Sequence, residues 1–309
     1  MFVFLLPYVC ACLWGHVGVE TDALRRDRQQ EGEKGYAGCT VEVVMKWGAW
    51  EIPMEEYLVY KLESVMPDTY EPETLKAQAV LLRTEVMRTL QEQGDELLRV
   101  SGDGLEKWYE ANEAMEEELL PYRQAVAETD GLYLCYLGDP IQASYFKISN
   151  GQTRDAAQVW QTEKFPYLTS ISCVQDKAAQ DYSSEVSLSK ANCLHEIHVH
   201  VGDQYSPQEL WESMEFAYDA TGYVTKVSFF AEGEEVEQMD GEAFRYLFAL
   251  PSASFVMEQT DTQVIFHVTG VGHGFGMSQY GANCKALNGE TYDEILKDFF
   301  PGTELAKIE

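Results

Sequence analysis

The chain has 309 residues, 45% of them apolar, and 22 basic against 52 acidic side chains give a formal net charge of −30. The length and apolar content are those of a globular protein with room for one large or two modest cores. The charge excludes nucleic acid and anionic membrane surfaces as main partners, and its dense stretches at Glu116 to Glu118 and Glu232 to Glu237 read as solvated faces.

Residues 1–20 are almost wholly apolar, which suits a signal peptide or a membrane anchor. Arg25, Arg26 and Arg28 follow this run instead of preceding it, which disfavours simple export. The reading is an anchor over 1–20, a polar linker over 21–38, and an extracytoplasmic domain over 39–309. Outside the anchor, Cys39, Cys135, Cys173, Cys193 and Cys284 form no Cys-x-x-Cys pair, so a zinc knuckle is unsupported. Cys173 and Cys193 bracket a polar insert and are either a disulfide or two buried thiols.

Thr40 to Met45 alternates as a strand does. Met54 to Val65 reads as a helix with Leu58, Leu62 and Val65 on one face at i, i+4 and i+7, and Pro67 stops it. A second helix opens at Pro72, a favoured first position, and carries Leu75, Ala79, Leu82 and Val86 on its apolar stripe. Lys76 and Arg83 are seven residues apart and so nearly aligned on that helix. They are either cations directed into a cleft, toward an anionic or hydroxyl-rich ligand, or ordinary surface charges.

A third helix is expected over Leu105 to Leu120, with Pro121 interrupting it before a continuation to Glu128. Short strands follow: Leu132 to Leu137, a Gly138-Asp139-Pro140 turn, then Ile141 to Ile148, together a hairpin. The polar stretch from Asp176 to Asp203 carries His195, His198 and His200, either a metal site or a solvated strand edge. Tyr223 to Ala231 and Gln263 to Val268 read as strands, with a short helix near Gly241 to Phe248 between them. Helices early and strands late, without βαβ alternation, indicate α+β. The expected architecture is a single cleft-bearing domain of N-terminal helices packed on mixed or antiparallel sheets.

One stretch forms no ordinary helix or strand: Gly270 to Ala282, with five glycines and the single imidazole of His273. Glycine permits positive φ and close backbone approach, so such a run builds a loop that presses its main chain against a neighbour. Its spacing is not that of a phosphate-binding loop.

In order, these motifs resemble the stage II sporulation protein D family, the SpoIID/LytB domain. The resemblance is carried by Met54 to Leu58, Met66-Pro67, Glu73 to Val80 and Arg83-Thr84, then Thr129 to Leu132, Ser149 to Thr153, Val159-Trp160 and Pro166 to Leu168. It continues through Phe244-Arg245, Leu250 to Ser252, the glycine run, and Phe300 to Thr303. It implies a membrane-anchored, peptidoglycan-acting protein of sporulation, a lytic transglycosylase that cuts peptide-free glycan strands beside an amidase partner and a membrane scaffold, with no cofactor. In that reaction one carboxyl protonates the glycosidic oxygen and then takes a proton from the sugar's own 6-hydroxyl, which closes a 1,6-anhydro ring. Lys76, Arg83, His273, Ser278 and Gln279 fall on family positions and are the implied substrate-binding residues.

Two departures stand out. The family's catalytic glutamate immediately precedes Met-Pro, where this chain has Val65. Glu63 is the nearest substitute, but two residues along a helix is about 200°, so it needs local unwinding to serve. Phe146 and Lys147 stand where many members carry a zinc-ligating histidine, so no metal is expected. The alternative to an active enzyme is a catalytically inactive member that binds glycan strands or stimulates an amidase.

Overall fold

The computed structural model describes residues 39–45, 48–94, 97–102, 104–105 and 117–308. The expected anchor and linker, and most of the helix expected over Leu105 to Leu120, lie outside these residues. Among the described residues no helix is long and apolar enough to cross a membrane.

Strand β1 (Thr40–Met45) pairs antiparallel with β2 (Gly48–Pro53) and parallel with β3 (Leu98–Ser101). Helix α1 (Met54–Val65) follows directly, with Glu55 and Glu56 in its first turn, where the helix dipole favours them. It stops because Met66 precedes proline and is driven extended, with φ −126° and ψ 136°. Helix α2 (Pro72–Gln93) starts on its proline and ends at Gly94, whose left-handed φ of 63° turns its N–H back onto the carbonyls of Leu90 and Gln91. The expected stripe of Leu75, Ala79, Leu82 and Val86 is buried. Truncating a core leucine such as Leu82 to alanine costs about 2–5 kcal/mol.

Helix α3 (Leu120–Glu128) carries Pro121 in its first turn. The proline therefore opens a helix instead of interrupting one, because the first turn does not need its missing N–H. Strand β4 (Leu132–Tyr136) forms a tight hairpin with the two-residue β5 (Asp139–Pro140). The long second arm expected over Ile141 to Ile148 is not formed. Only β6 (Tyr145–Phe146) is strand, and it pairs in parallel with β13 (Met277–Ser278) from the glycine run.

The later half holds two antiparallel sheets. Strands β7 (Ser183–Ser189), β12 (Gln263–Thr269) and β11 (Phe255–Gln259) form one, and β8 (Glu215–Tyr218), β9 (Val224–Ala231) and β10 (Glu234–Asp240) form the other. Short helices α4 (Ala156–Trp160), α5 (Lys190–Val201), α6 (Pro207–Ser213) and α7 (Gly241–Leu247) connect and cover them. The three histidines lie on α5, not on a strand edge. Ser189 starts that helix by accepting from the Asn192 N–H, and His198 faces Asp203 at 3.0 Å. Among the described residues no three potential ligands gather as a metal site.

Among the described residues, two apolar clusters form much of the core of this α+β structure. One surrounds α2, where Ala77, Val80 and Leu81 meet Leu134, Phe275, Met277 and the residues Ile295, Leu296 and Phe299 of α9 (Tyr292–Phe299). The other joins Ile197, Trp211, Phe229, Phe244 and Phe266. Cys173 lies in the first and Cys193 in the second, both as free thiols, so the disulfide alternative falls away. Strand β14 (Glu304–Lys307) closes the chain by pairing with β4.

Candidate functional site

The glycine run is fastened along the 144–154 segment by main-chain bonds. The Val271 N–H donates to Ile148 O at 2.7 Å, Met277 to Ser144 O at 3.0 Å and Tyr280 to Lys147 O at 3.0 Å, while Arg154 N–H donates to Gly274 O at 2.8 Å. Glycine is required because the contact is so close. A Cβ on Gly276 would lie 2.0 Å from Ser144 O, and one on Gly274 would strike Arg154 at 2.9 Å.

Two buried charges hold this loop. The Asp176 carboxylate accepts from the Ser149 N–H at 2.7 Å and from the Ser278 hydroxyl at 2.6 Å, and burial raises its pKa. Arg154 donates to Asp219 at 2.7 Å and to the His273 carbonyl at 3.3 Å, between the rings of Tyr223 and Phe275. Ser278 also accepts from the Gly281 N–H as the N-cap of α8 (Gln279–Leu287). Its hydroxyl is thus fully occupied inside the protein.

His273 is half-buried, packed on Phe146 and Phe275, with Nδ1 accepting from the Phe275 N–H. Burial first, then the charges of Arg245 and Arg154, pull its pKa down to about 4 against the opposing pull of the Tyr145 main chain. The imidazole is neutral at pH 7 and serves its own loop.

The structure brings Gln279 to Val65, where the resemblance implies a catalytic acid, and engages the two cations elsewhere. Gln279 donates from Nε2 to Val65 O at 3.3 Å and to Gln78 Oε1 at 3.1 Å. The fully buried Gln78 leaves its own Nε2 without a partner. Arg83, read as a ligand cation, is instead fully buried. It grips both carboxylate oxygens of Glu55, at 2.9 and 2.5 Å, and donates to the carbonyls of Leu132 and Val126. Lys76 is held by Glu73 at 2.7 Å and Glu128 at 2.5 Å. The sequence could not separate these roles, because alignment on a helix does not say which neighbour covers that face. Glu63 lies on intact helix, so no unwinding turns it toward Val65, and its charge acts on Tyr60 and Tyr122.

Another set of polar groups is free for a ligand. On α1, Tyr57, Lys61 and Val65 are spaced i, i+4 and i+8; on α2, Gln78 and Glu85 are seven residues apart, about 10 Å along the same face. Val65 lies level with Gln78, and Glu85 acts electrostatically on Tyr57, so the helices run antiparallel with these stripes adjoining. Tyr145, beside His273, feels the same two groups. The Tyr57 and Tyr145 hydroxyls, the Lys61 ammonium and the Glu85 carboxylate have no hydrogen bond or ion pair with any described residue. Glu85 is open to water, yet surrounding protein desolvates it and raises its pKa, against the cations of Lys61 and Arg88. Two other surface hollows, one lined by Glu55, Arg123 and Asp130 and one by Ser184, Tyr218 and His267, include neither Val65, Gln279 nor His273.

A family model for SpoIID, described as stage II sporulation protein, matches residues 48–136, the stretch that holds α1, α2 and the hairpin. The stage II sporulation protein D of Bacillus subtilis strain 168 is 30% identical over 277 residues, covering 84% of this chain and 76% of that protein. The chain belongs to the stage II sporulation protein D family. The protein of the same name from Bacillus amyloliquefaciens is 28% identical over 270 residues, with 84% and 75% covered. An amidase enhancer of Bacillus subtilis strain 168 is 58% identical over 36 residues, 12% of this chain and 5% of that protein.

This member of the SpoIID family has its glycine run fixed by main-chain contacts and a hydrocarbon at position 65. Sequence reading missed Asp176, which sits in a stretch too polar to assign, Tyr57, which reads only as part of a family motif, and Glu85, which carries no motif. The signal for Glu85 was available: it lies two turns beyond Gln78 on a helix whose buried stripe was already known.

Proposed function

We propose that this chain engages peptidoglycan glycan strands stripped of their peptides, in sporulation or cell-wall remodelling, and cleaves them by lytic transglycosylation. It would do so outside the cytoplasm, tethered by its apolar N-terminus. The observation that carries this reading is the set of hydroxyl, ammonium and carboxyl groups on Tyr57, Lys61, Glu85 and Tyr145 that have no hydrogen bond or ion pair with any described residue, a surface we read as a trough, in a chain of the stage II sporulation protein D family. Hydrogen-bonding groups beside amphipathic rings suit a hydroxyl-rich polymer. The relatives named for sporulation and for amidase enhancement support the setting.

The test is co-sedimentation of the full chain with peptide-free glycan strands, followed by mass spectrometry for 1,6-anhydro ends. Retention should drop about tenfold or more in Lys61→Ala and in Tyr145→Ala, a loss of about 1.4 kcal/mol or more each. Equal retention of native chain and both variants would overturn the reading.

A second reading is a member that holds strands and recruits or stimulates an amidase without cutting. Val65 and the orphaned Gln78 Nε2 favour it, since a carboxylate at position 65 is the acceptor that amide lacks. Retention without anhydro ends would select it.

A further inference from the structure

We infer that Glu85 is the carboxyl that donates and recovers the proton in this trough, about two helical turns from the level of Val65. The inference rests on the trough being a glycan-strand site and adds to it a catalytic residue. Three other carboxylates near the site are already engaged. Glu55 holds Arg83, Glu73 accepts from the Tyr292 N–H and from Lys76, and Asp176 is sealed beneath Ser149 and Ser278. Glu63 acts on Tyr60 and Tyr122. Glu85 is the one exposed carboxylate of this set, has no hydrogen bond or ion pair with any described residue, and lies near enough to Tyr57 and Tyr145 for its charge to act on both.

Its surroundings suit proton transfer. Protein bulk disfavours the charged form and keeps more of the acid present near neutral pH. Lys61 and Arg88 oppose this, but Arg88 is tied to Glu92 at 2.7 Å. The Tyr57 and Tyr145 hydroxyls both feel the Glu85 charge, and burial holds both well above the usual phenol range, so they remain protonated donors.

The step balances without water. The Glu85 carboxyl gives its proton to the glycosidic oxygen as the bond from that oxygen to the anomeric carbon breaks. The 6-hydroxyl oxygen of the same sugar bonds to the anomeric carbon, and its proton passes to the Glu85 carboxylate. One strand leaves with a 1,6-anhydro end, the other with a free hydroxyl, and the acid is restored.

The test compares the full native chain, Glu85→Gln and Val65→Glu on peptide-free strands, scoring anhydro ends, retention and Tm. Glu85→Gln is an isosteric change on an exposed helix position between residues of similar helix propensity, so it should fold with unchanged Tm. Expected are anhydro ends from the native chain and a loss of about 100-fold or more in Glu85→Gln. Full activity in Glu85→Gln overturns the assignment and leaves the proposed function standing. No product from the native chain overturns it as well; product then appearing in Val65→Glu shows a competent trough without its acid. Absence of both product and retention in every variant removes the glycan reading along with Glu85.

Discussion

Replacing Gly276 by alanine tests whether the glycine run is held by backbone contact. The new Cβ would sit 2.0 Å from Ser144 O and 2.8 Å from Ser144 C, and the residue has φ +75°. The oxygen would have to retreat by roughly 1 Å or more to reach ordinary contact. That oxygen also accepts the Met277 N–H at 3.0 Å, so retreat separates β6 from β13. Left-handed strain costs about 1–2 kcal/mol, and losing the buried hydrogen bond with some packing adds about 2–3. The sum, about 4 kcal/mol, lowers Tm by roughly 10 °C. Gly289→Ala is the control, since its φ is +92° and nothing lies within 4 Å of its Cβ, so it carries strain alone. Urea denaturation of both variants separates the two contributions. If Gly276→Ala loses no more than Gly289→Ala, the loop is not seated as described.

His273 gives a pH prediction. It stays neutral in the fold down to about pH 4, whereas the unfolded imidazole protonates near 6.5. Between those values the unfolded chain binds more protons, so this contribution is complete at pH 7 and declines as pH falls from about 6.5 to 4, by up to about 3 kcal/mol. Denaturation of His273→Gln over that range should show a shallower decline, and identical slopes would refute the assignment. Arg83→Met strands Glu55 and two carbonyls; because Glu55 keeps some access to water, the expected loss is about 3 kcal/mol, with strand retention by the folded fraction unchanged. Reduced retention at native Tm would restore Arg83 as a ligand group. Asp176→Ala orphans the Ser149 N–H and the Ser278 hydroxyl, worth about 3 kcal/mol, while Asp176→Asn keeps one acceptor and loses about half. Equal Tm for native chain and both variants would show that Asp176 does not hold the loop.

Legibility followed range. Proline and helical periodicity placed α1 and the start of α2 correctly because those signals act within one or two turns. The strand expected over Ile141 to Ile148 failed because Ser144, Ile148 and Lys147 give their carbonyls to residues 271 to 280, far along the chain. The helix that holds His195, His198 and His200 was not legible, with a metal site and a strand edge the alternatives, because a polar segment has little apolar rhythm to distinguish periods of 2 and 3.6.

The amino-acid order by itself determined the α+β class, the helix that carries Lys76, Arg83 and Glu85, the hydrocarbon side chain at Val65, and the need for glycine where the run meets its neighbour. Only the tertiary structure decided which charges are available. Lys76, Arg83 and Glu85 share one helix, yet Glu128 and Glu55 reach across from α3 and α1 to neutralise the first two, while Glu85 faces open solvent between tyrosines. A charged side chain is structural or chemical according to whether folding supplies its counter-charge, and that partner lies too far along the chain for local pattern to reveal.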